Sequence, residues 1–228
     1  MRQIIEPRYE DMSVAAARLV ADAIQASPQL TLCLAAGKTP TGMYRELVRL
    51  KQHEALDCSA VTFFCLDEYV GLRADHPESF RTYLWREFLG EIQINPRNFH
   101  LPDLNYEETI RQAGGIDLSI CGIGPNGHLA FNEPGASPDS RTRIVDLAES
   151  TVEGLRESFR NEEPPRQAVT VGLATIMDSR RILLLAAGRT KAGIMARALH
   201  GPVSPEVPAS ILQLHPDLVV LADQAAIP

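Results

Sequence analysis

The sequence predicts an α/β protein built on an open, mainly parallel sheet, and three observations predict it. Apolar runs at residues 30–36, 61–66 and 118–121 lack polar alternation, as strands covered on both faces require. Segments with helical spacing of apolar residues lie between them, so strand and helix follow one another. Several runs end in turn residues followed by charged or hydroxyl side chains, where open α/β sheets place their ligands. A chain of 228 residues can bury a sizeable core, and its even composition predicts one domain over 1–228.

Taken in order, a short strand is expected around residues 3–5 and an amphipathic helix over 9–25, where Met12, Val14, Ala15, Leu19, Val20 and Ile24 recur at helical spacing. The strand at 30–36 ends in Gly37-Lys38-Thr39-Pro40-Thr41-Gly42, and a helix resumes over 43–52 with Pro40 suited to its first turn. Free amides at that helix start, the hydroxyls of Thr39 and Thr41 and the Lys38 ammonium together make a phosphate-sized anion site. An ordinary capped helix is the alternative. The GxxxxGK[ST] spacing of a nucleoside-triphosphate loop is missing.

The next strand, 61–66, runs into Asp67-Glu68-Tyr69. Side chains alternate in extended backbone, so one of the two carboxylates is expected to face a cleft. A helix cap is the other reading of an Asp in this place. His76-Pro-Glu-Ser79 opens a helix through Tyr83, Leu84 and Phe88, with Trp85 read as core; a turn at 95–98, an extended piece at 99–101 and a helix at 106–113 follow.

The central strand, 118–121, breaks into Gly122-Ile-Gly-Pro-Asn-Gly-His128-Leu-Ala-Phe-Asn-Glu133. Its glycines permit a sharp turn and close approach of a ligand, and a folded-back loop brings His128 within hydrogen-bond reach of Glu133. A plain turn carrying a solvated histidine is the alternative. Residues 147–159 and the charged stretch 160–165 have sparse apolar positions, which makes about 147–166 a lid candidate. Strands are expected at 168–173 and 182–186. The second ends in Ala187-Gly188-Arg189-Thr190-Lys191, which sets Lys191 near the start of a helix at 192–199. Residues 211–215 and 218–221 are expected to close the sheet.

Composition narrows the function. The net charge is −7 with no Lys/Arg block, which disfavours nucleic acid as a partner. The four cysteines, Cys33, Cys58, Cys65 and Cys121, have no CxxC spacing and read as reduced core residues of a cytoplasmic protein. No stretch has signal-peptide or membrane-spanning character. The histidines never fall at metal-ligand spacing, no GxSxG occurs, and the central glycine loop runs directly into acid/base residues instead of a dinucleotide-binding helix. No metal and no cofactor are expected. Proton-transfer chemistry on a small phosphorylated molecule remains.

Six motifs, in order along nearly the whole chain, resemble the glucosamine-6-phosphate deaminase family: Ala36-Gly-Lys-Thr-Pro, Leu66-Asp-Glu-Tyr-Val-Gly-Leu72, His76-Pro-Glu-Ser-Phe, the loop Gly122 to Gly135, Ser140-Arg-Thr-Arg143 and Leu212-Gln-Leu-His-Pro216. The resemblance implies a doubly wound, Rossmann-like α/β domain that converts glucosamine 6-phosphate and water to fructose 6-phosphate and ammonia. It implies that His128 opens the pyranose ring with Glu133 and Asn126, and that Asp67 moves a proton between C2 and C1. Gly37, Thr39 and Lys191 match phosphate contacts, and Arg156 matches a lid arginine to within a residue of register. Two departures stand out. Lys38 occupies a place where many members have a small residue. Val145 stands where hexameric, allosterically activated members have lysine, and those members have a longer C-terminus. The expectation is therefore a monomer or small homo-oligomer without that activator site. A 6-phosphogluconolactonase, which resembles Gly-His-Thr-Ala-Ser and Asp-Glu-Arg at the matching places, is one rival. The other is a non-catalytic sugar-phosphate sensor, which needs a DNA-binding segment not found ahead of the first strand and can dispense with Asp67, His128 and Glu133.

Overall fold

The computed structural model describes residues 1–54, 56–73, 75–160 and 162–227. Its strands are β1 (Arg2–Glu6), β2 (Thr31–Leu34), β3 (Thr62–Cys65), β4 (Asp67–Tyr69), β5 (Phe99–His100), β6 (Leu118–Gly122), β7 (Arg143–Asp146), β8 (Gln167–Thr170), β9 (Arg181–Ala186) and β10 (Leu218–Asp223). The helices are α1 (Tyr9–Ala26), α2 (Thr41–His53), α3 (Phe80–Leu84, continued by a π turn, Trp85–Leu89), α4 (Tyr106–Gln112), α5 (Glu149–Leu155), α6 (Leu173–Met177) and α7 (Ala192–His200).

Seven strands form one sheet in the order β1-β10-β9-β6-β2-β3-β5, every neighbouring pair parallel. From β2 the chain winds outward through β3 to β5, returns to the other side of β2 as β6, and winds outward again through β9 and β10. The sheet is thus doubly wound, and its order reverses between β2 and β6, which pair Leu32 with Leu118. At such a reversal the two connections leave in opposite directions, and a crevice opens at the carboxyl ends of the strands. Alternation in β2 shows why its run is apolar throughout. Leu32 and Leu34 join the core that contains Met12, Val20 and Leu47 of α1 and α2, while Cys33 packs on the opposite face with Tyr106, Ile176 and Met195.

Three strands behave differently. β4, β8 and β7 form a small antiparallel sheet in which Asp67 pairs with Thr170 and Arg143 also pairs with Thr170. The strand expected at 168–173 therefore ends at Thr170 and lies outside the parallel sheet. β7 was not expected; half-buried Arg143 and Val145 alternate with exposed Ile144 and Asp146 over only four residues. The strand expected at 211–215 is instead part of a 3₁₀ segment, Pro208–Leu214. There Gln213 Nε2 donates to the carbonyls of Ala198 and Gly201, both at 2.9 Å, satisfying acceptors at the end of α7.

The lid candidate at about 147–166 contains one short helix, α5, and Asn161 of its charged stretch lies outside the described residues. Sparse apolar positions do not leave it loosely held. Leu147, Val152 and Phe159 pack with Tyr69, Phe131 and Ala168 in a separate apolar cluster. Among the described residues no helix is long and apolar enough to cross a membrane.

Candidate active site

Four strand ends meet at the reversal point around a cleft of about 320 Å³. β2 supplies Gly37, Lys38 and Thr39, β3 leads into Asp67, β6 leads into the loop with His128, and the turn after β9 supplies Lys191. Leu66, Tyr69, Phe80 and Phe131 give the cleft apolar walls. The residues singled out on four separate apolar runs thus converge on one space.

The loop after β6 folds back as its glycines allow. Gly127 has φ +90°, and a Cβ on Gly124 would lie 2.2 Å from His128 Nε2, so the imidazole rests where any side chain at 124 would stand. His128 Nδ1 meets Glu133 Oε2 at 3.2 Å; Asn126 Nδ2 donates to the same oxygen at 2.6 Å, and Asn126 Oδ1 accepts from the His128 amide at 3.2 Å. The other oxygen, Oε1, accepts from the Thr151 hydroxyl of α5 at 2.6 Å. Burial pushes the Glu133 carboxyl up, but the hydrogen bonds from His128, Thr151 and Asn126 outweigh it and hold the group at about 2. An ionised Glu133 only accepts, so Nδ1 must carry the proton facing it. In the neutral imidazole, Nε2 is then the free base. Glu133 and Asn126 stand behind His128 and do not line the cleft. Asn132, fully buried, pins the same loop by donating to the carbonyls of Leu129 (2.9 Å) and Val171 (2.7 Å) and accepting from Arg143 (2.9 Å).

Across the cleft, Asp67 has the opposite surroundings. Its residue is 7 % exposed, and no donor reaches its carboxylate among the described residues. Burial, then the neighbouring Glu68 charge, raises its carboxyl to about 8. Alternation separates the pair as expected. Glu68 turns away and accepts from the amides of Tyr69 (2.9 Å), Phe80 (3.0 Å) and Arg81 (2.8 Å). Asp67 caps no helix: Ser79 is the N-cap of α3, its hydroxyl accepting from the Thr82 amide at 3.1 Å, and Glu68 takes the first two amides of that helix.

The turn after β2 matches expectation in part. Among the described residues the amides of Lys38 and Thr39 have no acceptor, as an anion site requires, and Gly37 has φ +129°. Pro40, however, is the N-cap of α2, and the first-turn amide of Gly42 donates to the Tyr9 hydroxyl at 2.8 Å. Thr41 is also committed elsewhere: its hydroxyl donates to Gly37 O at 3.1 Å and meets Tyr83 Oη at 2.8 Å. Tyr83 donates to Gly37 O at 2.6 Å, and Tyr9 to Lys38 O at 3.1 Å. These tyrosines clamp the turn from below, and the sequence marks them only as helix residues. Lys38 itself is exposed at the rim. Half-buried Lys191 donates to Ile123 O at 2.7 Å, and burial lowers its pKa.

Arg156 is the exception. α5 ends at Leu155, and the Arg156 guanidinium turns back to Glu153 of the same helix, outside the cleft. Thr151, four residues from the end of α5, is the side chain this segment sends in.

Comparison with known proteins agrees with the fold and with the family that the motifs resemble. A family model, glucosamine-6-phosphate isomerases/6-phosphogluconolactonase, matches residues 8–220. Glucosamine-6-phosphate deaminases of Halothermothrix orenii and Thermoanaerobacter pseudethanolicus are 44 % and 42 % identical, over 99 % of this chain and 98 % and 94 % of theirs. A solved structure of a monomeric glucosamine-6-phosphate deaminase superposes with a TM-score of 0.96 at 40 % identity, covering 99 % of this chain and 98 % of that one. The 6-phosphogluconolactonase of Trypanosoma brucei shares the fold, with a TM-score of 0.78 at 20 % identity over 99 % and 97 % of the two chains. The chain belongs to the glucosamine-6-phosphate isomerase/6-phosphogluconolactonase family.

Proposed function

We propose that this protein is a glucosamine-6-phosphate deaminase of amino-sugar catabolism, converting glucosamine 6-phosphate and water to fructose 6-phosphate and ammonia. The observation that carries the reading is the pairing of two differently tuned groups across one cleft. His128 presents a free Nε2 backed by ionised Glu133, and buried Asp67 faces it with no donor of its own among the described residues. His128 Nε2 takes the anomeric hydroxyl proton and delivers it to the ring oxygen, opening the sugar. Asp67 then takes the C2 proton and returns it to C1, while the substrate ammonium gives up one proton to the C1 oxygen, which leaves a protonated imine at C2. Water adds there and ammonia departs. A substrate ammonium at C2 would favour the ionised form of Asp67, so the amino group prepares its own base.

The amides of Lys38 and Thr39, the Gly37 backbone, the Thr39 hydroxyl and Lys191 are assigned to the phosphate, with Lys38 adding charge at the rim. Asn126 positions Glu133 and His128. Arg156 would meet a phosphate only with the end of α5 rearranged, and we assign it no contact. Residues 147–166 act as a lid on one domain spanning 1–228. The protein works without cofactor as a cytoplasmic monomer or small homo-oligomer; likeness to the monomeric deaminase structure supports the former.

The lactonase alternative is supported at the level of fold, whereas relatives 42–44 % identical carry the deaminase name. Incubation with glucosamine 6-phosphate followed by assays for ammonia and fructose 6-phosphate tests the proposal. Hydrolysis of 6-phosphogluconolactone with no ammonia released from the amino sugar would overturn it.

A further inference from the structure

Thr151 lines the cleft yet bonds to a carboxylate behind it, and it comes from a different element than every other partner of Glu133. We propose that Thr151 is a positioning residue for Glu133, whose hydroxyl orients the carboxylate toward His128 only while α5 lies over the cleft. The proposal deepens the deaminase reading above and rests on it.

A carboxylate turns easily about its last torsion, which has broad minima. One oxygen of Glu133, Oε2, is held by Asn126 and His128, both within the loop. The other, Oε1, has the Thr151 hydroxyl as its donor. Loss of that bond frees one end of the group, and the His128 contact, already 3.2 Å, is the weaker of the two that remain.

The placement of α5 is set by the residues next to both carboxylates. Val152, beside Thr151, is 1 % exposed in a cluster with Tyr69, two residues after Asp67, and Phe131, two before Glu133. Beyond the end of α5, His76 Nε2 meets Glu162 Oε1 at 2.9 Å and the His76 ring stacks on Phe159 at 5.5 Å. A shift of α5 therefore withdraws the hydroxyl and disturbs the walls of the cleft together. Other charged groups around Glu133 are His128 on its own loop, with Asp67, Lys38 and Lys191 around the cleft. On α5 itself, Glu149 and Glu153 are exposed and paired with Arg166 and Arg156.

Thr151→Val removes the hydroxyl and keeps the volume, whereas Thr151→Ser keeps the hydroxyl. On glucosamine 6-phosphate, the valine variant is expected to lose about tenfold in kcat with KM within about twofold. Serine should restore kcat. Carboxyl chemical shifts of Glu133 followed by NMR during a pH titration read the same contact without turnover, and the midpoint should rise in the valine variant alone. An unchanged midpoint and unchanged kcat for valine, or equal losses for valine and serine, would overturn the proposal. A parent protein that releases no ammonia defeats the deaminase reading instead, and the titration still decides whether Thr151 holds Glu133.

Discussion

Asp67 and Glu133 are both carboxylates just beyond the carboxyl ends of neighbouring regions of one sheet, and their surroundings drive them apart. Asp67 is buried without donors among the described residues and lies near 8; Glu133, also largely covered, is wrapped by three donors and lies near 2. Burial alone thus fixes neither the sign nor the size of the change. Hydrogen-bond donors decide it, because each one favours the charged form that desolvation penalises. The difference divides the labour: an ionised Glu133 can hold an imidazole tautomer, while a carboxyl poised near neutrality can both take and return a proton.

The strongest way to test this division is to remove the poised group. Asp67→Asn should cut solvent deuterium exchange at the sugar C2 by about 10⁴-fold, the upper end for a positioned base, while phosphate-dependent binding measured by calorimetry stays nearly intact. Normal exchange would remove Asp67 from the mechanism. On the other side of the cleft, His128→Ala should lower turnover by about 10²–10³-fold on the cyclic substrate and by less on an open-chain analogue. Equal losses on both forms would end the ring-opening assignment.

The same contrast has a stability signature. Asp67 ionises near 3.9 in the unfolded chain and near 8 in the folded one, so the folded state binds the extra proton between those values. Folding stability is therefore lost as pH rises through that window, and an uncharged Asn avoids the loss. Urea unfolding should find Asp67→Asn more stable than the parent by roughly 5 kcal/mol at pH 9, with the gap closing toward pH 4. A gap of equal size at both pH values would mean that packing, not ionisation, causes it. The smallest effect belongs to the exposed rim. Lys38→Ser should raise KM for glucosamine 6-phosphate and the inhibition constant for phosphate by roughly tenfold, with little change in turnover. Constants within twofold of the parent would leave the phosphate to Gly37, Thr39 and Lys191.

The parallel sheet was legible because its strands are buried on both faces, so the runs around Leu32, Phe64 and Ile120 carry no competing pattern. The small antiparallel sheet was not. β7 and β4 span four and three residues, too few for a period to register, and their pairing with β8 is decided by contacts distant in sequence. Residues 211–215 mislead because Ile211, Leu212 and Leu214 suit a strand, while Gln213 is spent on ending α7. In the site, the residues at strand ends were readable because the topology delivers them to one place. Thr151, Tyr9 and Tyr83 were not, since each acts through a hydroxyl whose partner lies 18 or more residues away. Arg156 lies outside the cleft because α5 stops at Leu155, next to Gly154, and its guanidinium turns back to Glu153.

The apolar seat beneath α5 has a thermal consequence. Lifting the proposed lid would wet parts of Tyr69, Phe131, Val152 and Phe159, and newly wetted apolar surface adds heat capacity, about 0.45 cal/K/mol for each Å². The enthalpy of opening therefore grows with temperature, and the hold on the lid slackens on cooling as hydrophobic association fades. A gate closed by hydrogen bonds alone would lack that curvature. The proposed lid would carry its own thermometer: the balance between a covered and an open cleft would change with temperature even where none of the acid/base groups changes its charge.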